Sequence, residues 1–120
     1  MKVKTYQTLT TDGSNENIET IQQLLALHGP LASSIDSSSF DFYFYESGIY
    51  EDTVCSTSEP NLSIVIIGYG YDSNNKPYFI CQNSWGTNWG EDGFFRIYAE
   101  GNTCGILSSI LYLTEVQKLI

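Results

Sequence analysis

The feature that most constrains this chain is Cys81-Gln82-Asn83-Ser84-Trp85-Gly86-Thr87-Asn88-Trp89-Gly90-Glu91-Asp92-Gly93, a polar, glycine-punctuated stretch between two apolar runs. Tyr78-Phe79-Ile80-Cys81 before it and Phe94-Phe95-Arg96-Ile97-Tyr98 after it are rich in aromatic and β-branched residues and predict two strands. Gly86, Gly90 and Gly93 mark sharp turns or close backbone approach between them. Trp85 and Trp89 are the only tryptophans, and two so near one polar cluster predict a lid over a buried polar group. Residue chemistry alone equally allows a long hairpin loop covered by aromatics.

Asn83 to Gly93, Asn-Ser-Trp-Gly-Thr-Asn-Trp-Gly-Glu-Asp-Gly, resembles the asparagine motif of papain-like cysteine proteases of the cathepsin L/B type. In that family the asparagine orients the catalytic histidine and the first tryptophan shields their hydrogen bond from water, which the resemblance carries onto Asn83 and Trp85. The second tryptophan, matching Trp89, lines the primed side of the substrate cleft. A neutral amide can fix an imidazole's tautomer and ring angle as a buried carboxylate can.

The chain has 120 residues, room for one small domain with a modest core. Its 42% hydrophobic and 14% aromatic content argues for a folded protein. A net charge of −9, scattered from Asp12 to Glu115 without a long run, reads as a solvated acidic surface and argues against nucleic acid as a partner. No apolar stretch approaches the roughly 20 residues of a membrane span, and Met1-Lys2-Val3-Lys4 leads into polar residues without the apolar run of a secretory signal. No cofactor or metal set is expected.

Along the chain, Met1 to Tyr6 predicts a short strand and Thr10 to Asn17 a polar loop. Asn17 is placed to cap a helix that sets Ile18, Ile21, Leu24, Leu25 and Leu27 on one face and stops at His28-Gly29-Pro30. His28, the only histidine, sits where a helix dipole favours its charged form, a capping or surface role. Leu31 to Ile35 predicts a strand and Ser37 to Phe40 a polar turn. The block Phe40, Phe42, Tyr43, Phe44, Tyr45 reads as core and half-buried strand edge. Glu51 to Asn61 predicts a loop, and Ser63-Ile64-Val65-Ile66-Ile67 a strand buried on both faces. A turn at Asp72–Pro77 follows, and Ile106 to Leu113 predicts a last strand closing the sheet. The whole reads as one β-rich α+β domain with one main helix, and the resemblance implies the right-hand domain of the papain fold, an antiparallel barrel-like sheet, with the left-hand domain absent from residues 1–120. Gly-Pro-Leu-Ala-Ser-Ser-Ile-Asp and Phe-Tyr-Glu-Ser-Gly-Ile-Tyr also resemble cathepsin segments.

One residue departs from the family pattern. The cathepsin sequence before Gly68-Tyr69-Gly70 has histidine, a small residue, then four apolar residues; counted back from Gly68, the histidine position is Leu62 and the small residue Ser63. Leucine accepts no proton, and a thiol at its ordinary pKa of about 8.5 is largely protonated at neutral pH without a base. The family's nucleophilic cysteine and oxyanion-hole glutamine belong to the other domain and have no counterpart here. Ser63 faces the opposite side of its strand. Cys81, with no cationic neighbour in sequence, reads as a buried thiol acting as a small hydrophobe.

The resemblance implies a disulfide between Cys55 and Cys104, closing a loop of about 50 residues worth roughly 3–4 kcal/mol in the chain-entropy model, and with it a secreted or lysosome-like compartment. Three reduced cytosolic thiols are the alternative. Asn61-Leu62-Ser63 is also an N-glycosylation sequon. The resemblance carries cleft roles onto Ser34 and Ser109, wall and base of the pocket selecting the second residue before the scissile bond, and onto Asn61, whose carbonyl faces a substrate amide. Three readings follow: a non-catalytic pseudoprotease fragment binding a protein or peptide; the heavy-chain half of a working cysteine endopeptidase that draws its cysteine from an N-terminal half; or a structural or storage protein keeping only the fold. The expected partner is an N-terminal papain-like half or a second copy of the chain.

Overall fold

The apolar run at Ser63–Ile67 forms the middle of a sheet, and it is buried on one face only. In a computed structural model, which describes residues 2–10 and 14–117, it belongs to β4 (Leu62–Tyr71). Ile64 and Ile66 are buried, while Val65 and Ile67 are 37% and 41% exposed. The expectation of a strand covered on both sides is therefore corrected. Strand side chains alternate between faces, and among the described residues the main helix packs on only one of them.

Nine further stretches complete the fold: β1 (Lys2–Thr10), α1 (Asn15–His28), β2 (Leu31–Ile35), α2 (Phe40–Tyr43), β3 (Ile49–Tyr50), β5 (Pro77–Gln82), β6 (Phe94–Tyr98), a 3₁₀ turn at Thr103–Gly105 and β7 (Ser109–Gln117). The seven strands form one sheet in the order β1-β7-β2-β4-β5-β6-β3. Every pairing is antiparallel except that of β3 with β6. The last strand thus lies inside the sheet, between β1 and β2, and β1 and β3 form its edges; the expectation that it closes the sheet is corrected. A register shift between Ile66 and Gly68 makes a bulge in β4 opposite β5, which bends the strand and raises its twist.

The first strand is longer than Tyr6 and takes in Thr10, while Met1 and residues 11–13 lie outside the described residues. Helix α1 starts at Asn15 behind Ser14, not at Asn17. The Ser14 carbonyl accepts from the Asn17 and Ile18 amides at 3.0 and 3.2 Å, and the Asn17 side chain donates back to Ser14 Oγ. Asn17 therefore lies in the first turn. Ile18 and Ile21 are buried and Leu24 and Leu25 pack against them, but Leu27 is 77% exposed. At about 100° per residue, nine positions carry Leu27 to the side of the helix opposite Ile18. The helix ends at Gly29, whose φ of 76° suits glycine and whose amide donates to Leu25. His28 is exposed in the last turn, its ring 5.0 Å from that of Tyr112.

The aromatic block at 40–45 is a short helix rather than a strand edge. Ser39 caps it by accepting from the Asp41 amide. One turn of helix sends Phe42 and Tyr45 inward and leaves Phe40, Tyr43 and Phe44 in solvent. The core formed by the buried sides of β2, β4, β5, β6 and β7 is filled mainly by Leu31, Ile35, Ile66, Phe79, Phe95, Ile97 and Ile110, all with no exposed surface.

Cys55 and Cys104 are disulfide-bonded across 49 residues of sequence, and Cys81 is a buried free thiol. The bridge ties the long 51–61 loop to the 3₁₀ turn. Removing it with Cys55→Ser and Cys104→Ser together is expected to lower unfolding free energy by about 2–4 kcal/mol. Urea titration of the double variant against the oxidised chain measures this, and an equal midpoint would show the bridge to be dispensable.

Candidate functional site

Strand β5 runs out at Gln82 and the chain enters the loop 83–93, which is held at four levels. The Asn83 amide donates to the Gly93 carbonyl at 3.0 Å, the Gly93 amide to Trp89 at 2.8 Å, and the Trp89 amide to Gly86 at 3.3 Å. Gly90 sits at φ 61°, and a Cβ there would lie 2.6 Å from the Phe94 carbonyl oxygen, so only glycine fits. Glu91 accepts a bidentate pair from Arg96 at 2.9 and 2.8 Å, the Tyr45 hydroxyl at 3.1 Å and the Gly48 amide at 3.3 Å. The Arg96 guanidinium is the main reason the Glu91 carboxyl sits below its ordinary pKa. This one carboxylate fastens the loop to the segment that precedes β3 and to β6.

The fourth level is aromatic. Phe42 of α2 is fully buried, with ring centroids at 5.0 Å to Trp89, 5.1 Å to Phe95, 5.3 Å to Tyr50 and 5.5 Å to Trp85. Trp85 and Trp89 meet edge to face at 5.2 Å, and the Trp89 indole donates to the Tyr43 carbonyl at 3.0 Å. The two tryptophans thus pack on Phe42 and on each other.

Asn83 is 7% exposed. Its Oδ1 accepts from the Ser84 amide at 2.7 Å, and its Nδ2 is buried with no hydrogen-bond partner. Leaving such a donor unpaired costs about 1–3 kcal/mol, so this amide stands out. The pairing of Val65 with Gln82, continued by one step, sets Asn83 opposite Ile64 and diagonal to Leu62, on one face. Leu62 is half-buried and packs against the core cluster. A leucine has nothing to offer the Asn83 amide. Cys81 shares this face and is fully buried, and burial pushes its thiol well up from its ordinary pKa; it is protonated and shielded, as the sequence reading expects.

Ser34, Ser63 and Ser109 come together on the sheet's other face. Ser34 pairs with Ser63 across β2 and β4. The pairing of Ala32 with Leu111, continued by two positions, sets Ser34 opposite Ser109. The result is a row of hydroxyls across three strands, next to an open cavity of about 330 Å³ lined by Ser63, Val65, Gln82 and Asn83 among others. Trp89 lies at the far side of the 83–93 loop. Asn61 precedes β4 with its amide engaged: Oδ1 accepts from the Ser37 amide and hydroxyl at 2.9 and 2.8 Å, and Nδ2 donates to Asp36 at 3.2 Å. The sequon nitrogen thus donates one of its N–H groups to Asp36 while the residue itself remains exposed.

Asp36 is a residue that sequence reasoning missed. It is 6% exposed and accepts from the Ser38 hydroxyl at 2.6 Å, the Ser38 amide at 3.0 Å, the Ser56 amide at 2.7 Å and Asn61, while its own amide donates to Cys104 at 2.9 Å. The signal was an aspartate at a strand end followed by serines, the pattern of an Asx turn. It joins β2, both ends of the disulfide region and the start of β4.

With this arrangement of loop, strands and bridge in place, the comparison with known proteins is decisive: residues 1–114 match the family model "Papain family cysteine protease". The chain belongs to that family. It is 41% identical to cysteine proteinase 3 of Entamoeba histolytica over 98% of this chain and 39% of that protein. It is 43% identical to procathepsin L of Felis catus over 70% of this chain and 26% of that protein. Among solved structures, digestive procathepsin L 3 of Tenebrio molitor superposes with a TM-score of 0.79 at 33% identity, covering 91% of this chain and 34% of that one. Bromelain of Ananas comosus gives 0.73 at 33% identity, covering 91% and 49%. The chain spans less than two fifths of the length of these curated relatives. The α+β class with the papain-like arrangement is thereby established for it.

The Asp36 network carries a pH prediction. The Ser38 hydroxyl first, then the Ser56 amide, hold its carboxyl below its ordinary pKa despite burial. A depressed folded-state pKa gives stability that is present above the unfolded value of about 3.9 and lost as pH falls through the folded value. Asp36→Asn is expected to cost about 1–3 kcal/mol at pH 7 and to flatten the loss of stability below about pH 4. Urea unfolding at neutral and acid pH measures both; equal acid slopes for variant and wild type would contradict it.

Proposed function

We propose that this chain is a non-catalytic papain-family domain, a pseudoprotease that binds a polypeptide segment without cleaving it. The observation carrying this reading is the Leu62–Asn83 pair. The residue on the same face as Asn83 and diagonal to it, where the family pattern calls for histidine, is a core-packed leucine, and the asparagine amide is left with a buried unpaired donor. Without an imidazole there is no group to take a thiol's proton, whichever chain supplies the thiol. On this reading Asn83 and Trp85 are remnants of the catalytic apparatus, and Ser34, Asn61, Trp89 and Ser109 are remnants of the substrate cleft, retained for shape.

The exposed Val65 and Ile67 face, beside that cavity, is where the partner belongs in this proposal: an N-terminal papain-like half, or a second copy of the chain burying the same patch. The disulfide and the cathepsin relationship support an oxidising compartment, secreted or lysosome-like.

The test has two readouts. With fluorogenic peptides the chain is expected to show no turnover, alone or mixed with a cathepsin N-terminal half carrying the cysteine. Leu62→His in that mixture restores the general base, whose contribution is typically about 10²–10⁴-fold. Fluorescein-labelled hexapeptides should still raise anisotropy on binding to the wild-type chain. Turnover by the pure wild-type protein that a thiol-alkylating reagent abolishes would overturn the proposal, and so would the absence of any peptide binding.

A further inference from the structure

Beyond the polypeptide-binding reading, and resting on it for the nature of the ligand, we propose that the groove between α2 and the 83–93 loop takes a cationic side chain, an arginine or lysine, of the bound segment. Two adjoining cavities make the groove. One, of about 490 Å³, is lined by Tyr43, Trp85, Asn88 and Trp89. The other, of about 410 Å³, shares Tyr43, Asn88 and Trp89 and adds Phe44 and Glu46. Shared lining makes them one continuous trough.

Its walls are unusual for a surface this polar. Tyr43 is 61% and Phe44 70% exposed, and Trp85 also reaches solvent. The rings stand at angles to one another: Trp85 and Trp89 at 82°, Tyr43 and Phe44 at 89°, Tyr43 and Trp85 at 55° with centroids 6.1 Å apart. Rings tilted in this way do not stack the space shut, and an aromatic lining of this kind is one that ammonium and guanidinium groups bind. These rings are also held in place: Phe42 backs both tryptophans, and the Trp89 indole bond to the Tyr43 carbonyl ties loop to helix.

Charge decides between a cationic and a neutral occupant. The groove ends at the Glu46 carboxylate, Asn88 offers an amide oxygen, and no lysine or arginine is among its lining residues. Of the described cations with resolved side chains, Lys76 pairs with Glu51 and Arg96 with Glu91, so neither serves as an internal occupant. A chain of net charge −9 draws a basic segment towards it from a distance. A purely apolar side chain would use the aromatic walls alone, whereas a cation there also gains the attraction of the exposed Glu46 carboxylate at the groove's end.

Trp85 and Trp89 are the only tryptophans of the chain and both line the groove, so intrinsic fluorescence reports this site directly. Titration with N-acetyl-arginine-methylamide is expected to change it saturably. The uncharged isosteres N-acetyl-citrulline-methylamide and N-acetyl-norleucine-methylamide should bind about fivefold or more weakly. Glu46→Gln and Tyr43→Ala should each weaken the arginine probe, the first without affecting citrulline, while circular dichroism stays unchanged; raising salt should weaken arginine alone. Equal binding of the three probes, or Glu46→Gln without effect, overturns the inference. Labelled hexapeptides separate it from the broader reading. Binding that ignores an arginine-to-citrulline change refutes the cationic site and leaves peptide binding standing. Arginine-selective quenching with no hexapeptide binding keeps the site and removes the peptide reading.

Discussion

Burial of the Phe42 ring holds the functional end of this molecule together. Its ring meets aromatic rings of β3, β6 and the 83–93 loop at once, and the Tyr45 ring does the same. Pairs of this kind are worth about 0.5–1.5 kcal/mol beyond the area they bury, and four of them share one ring. The loop is held besides by its own backbone hydrogen bonds, its glycine turns, the Glu91 carboxylate and the Trp89 indole bond to Tyr43. With Phe42 in place, both tryptophans are fixed on one side and Tyr43 and Phe44 are forced outward on the other. The groove is thus a by-product of how one helical turn anchors itself.

The parts that hold the papain fold in shape are intact: the Cys55–Cys104 bridge, the Asp36 hub, the Glu91–Arg96 fork and the capped α1. At position 62, next in this scaffold to Ser63, stands a leucine, a side chain without a titratable group. Leu62 packs against the core cluster. On the same face, the Asn83 amide keeps a buried, unsatisfied donor. A polar group retained under those conditions, in a loop so heavily anchored, is most simply understood as belonging to the loop's shape.

Local pattern made much of this legible. Strands β2, β5 and β6, the stop at Gly29, the turn at Asp72–Pro77 and the motif loop are all legible directly, because each rests on neighbours in sequence. The errors share a cause too. Leu27 was assigned to the buried face of α1 because apolar character alone does not say which side of a helix meets the sheet. The run at Ser63–Ile67 was read as doubly buried because hydrophobicity does not say whether anything covers the second face. The aromatic block was read as strand because side chains of that kind favour sheets, whereas Ser39 capped a helical turn there.

Sequence by itself determined the family resemblance, the Cys55–Cys104 pairing that the resemblance implies, and the helix stop, since each depends on residue identity at a fixed spacing. Only the tertiary structure decided that Asn83 is left with an unpaired amide, that Asp36 joins three segments, that the sequon nitrogen of Asn61 is engaged, and that the serines of three strands fall in one row. Those facts depend on which distant strands pair and in what register, and register is set by packing across the whole sheet, which no local stretch of residues encodes.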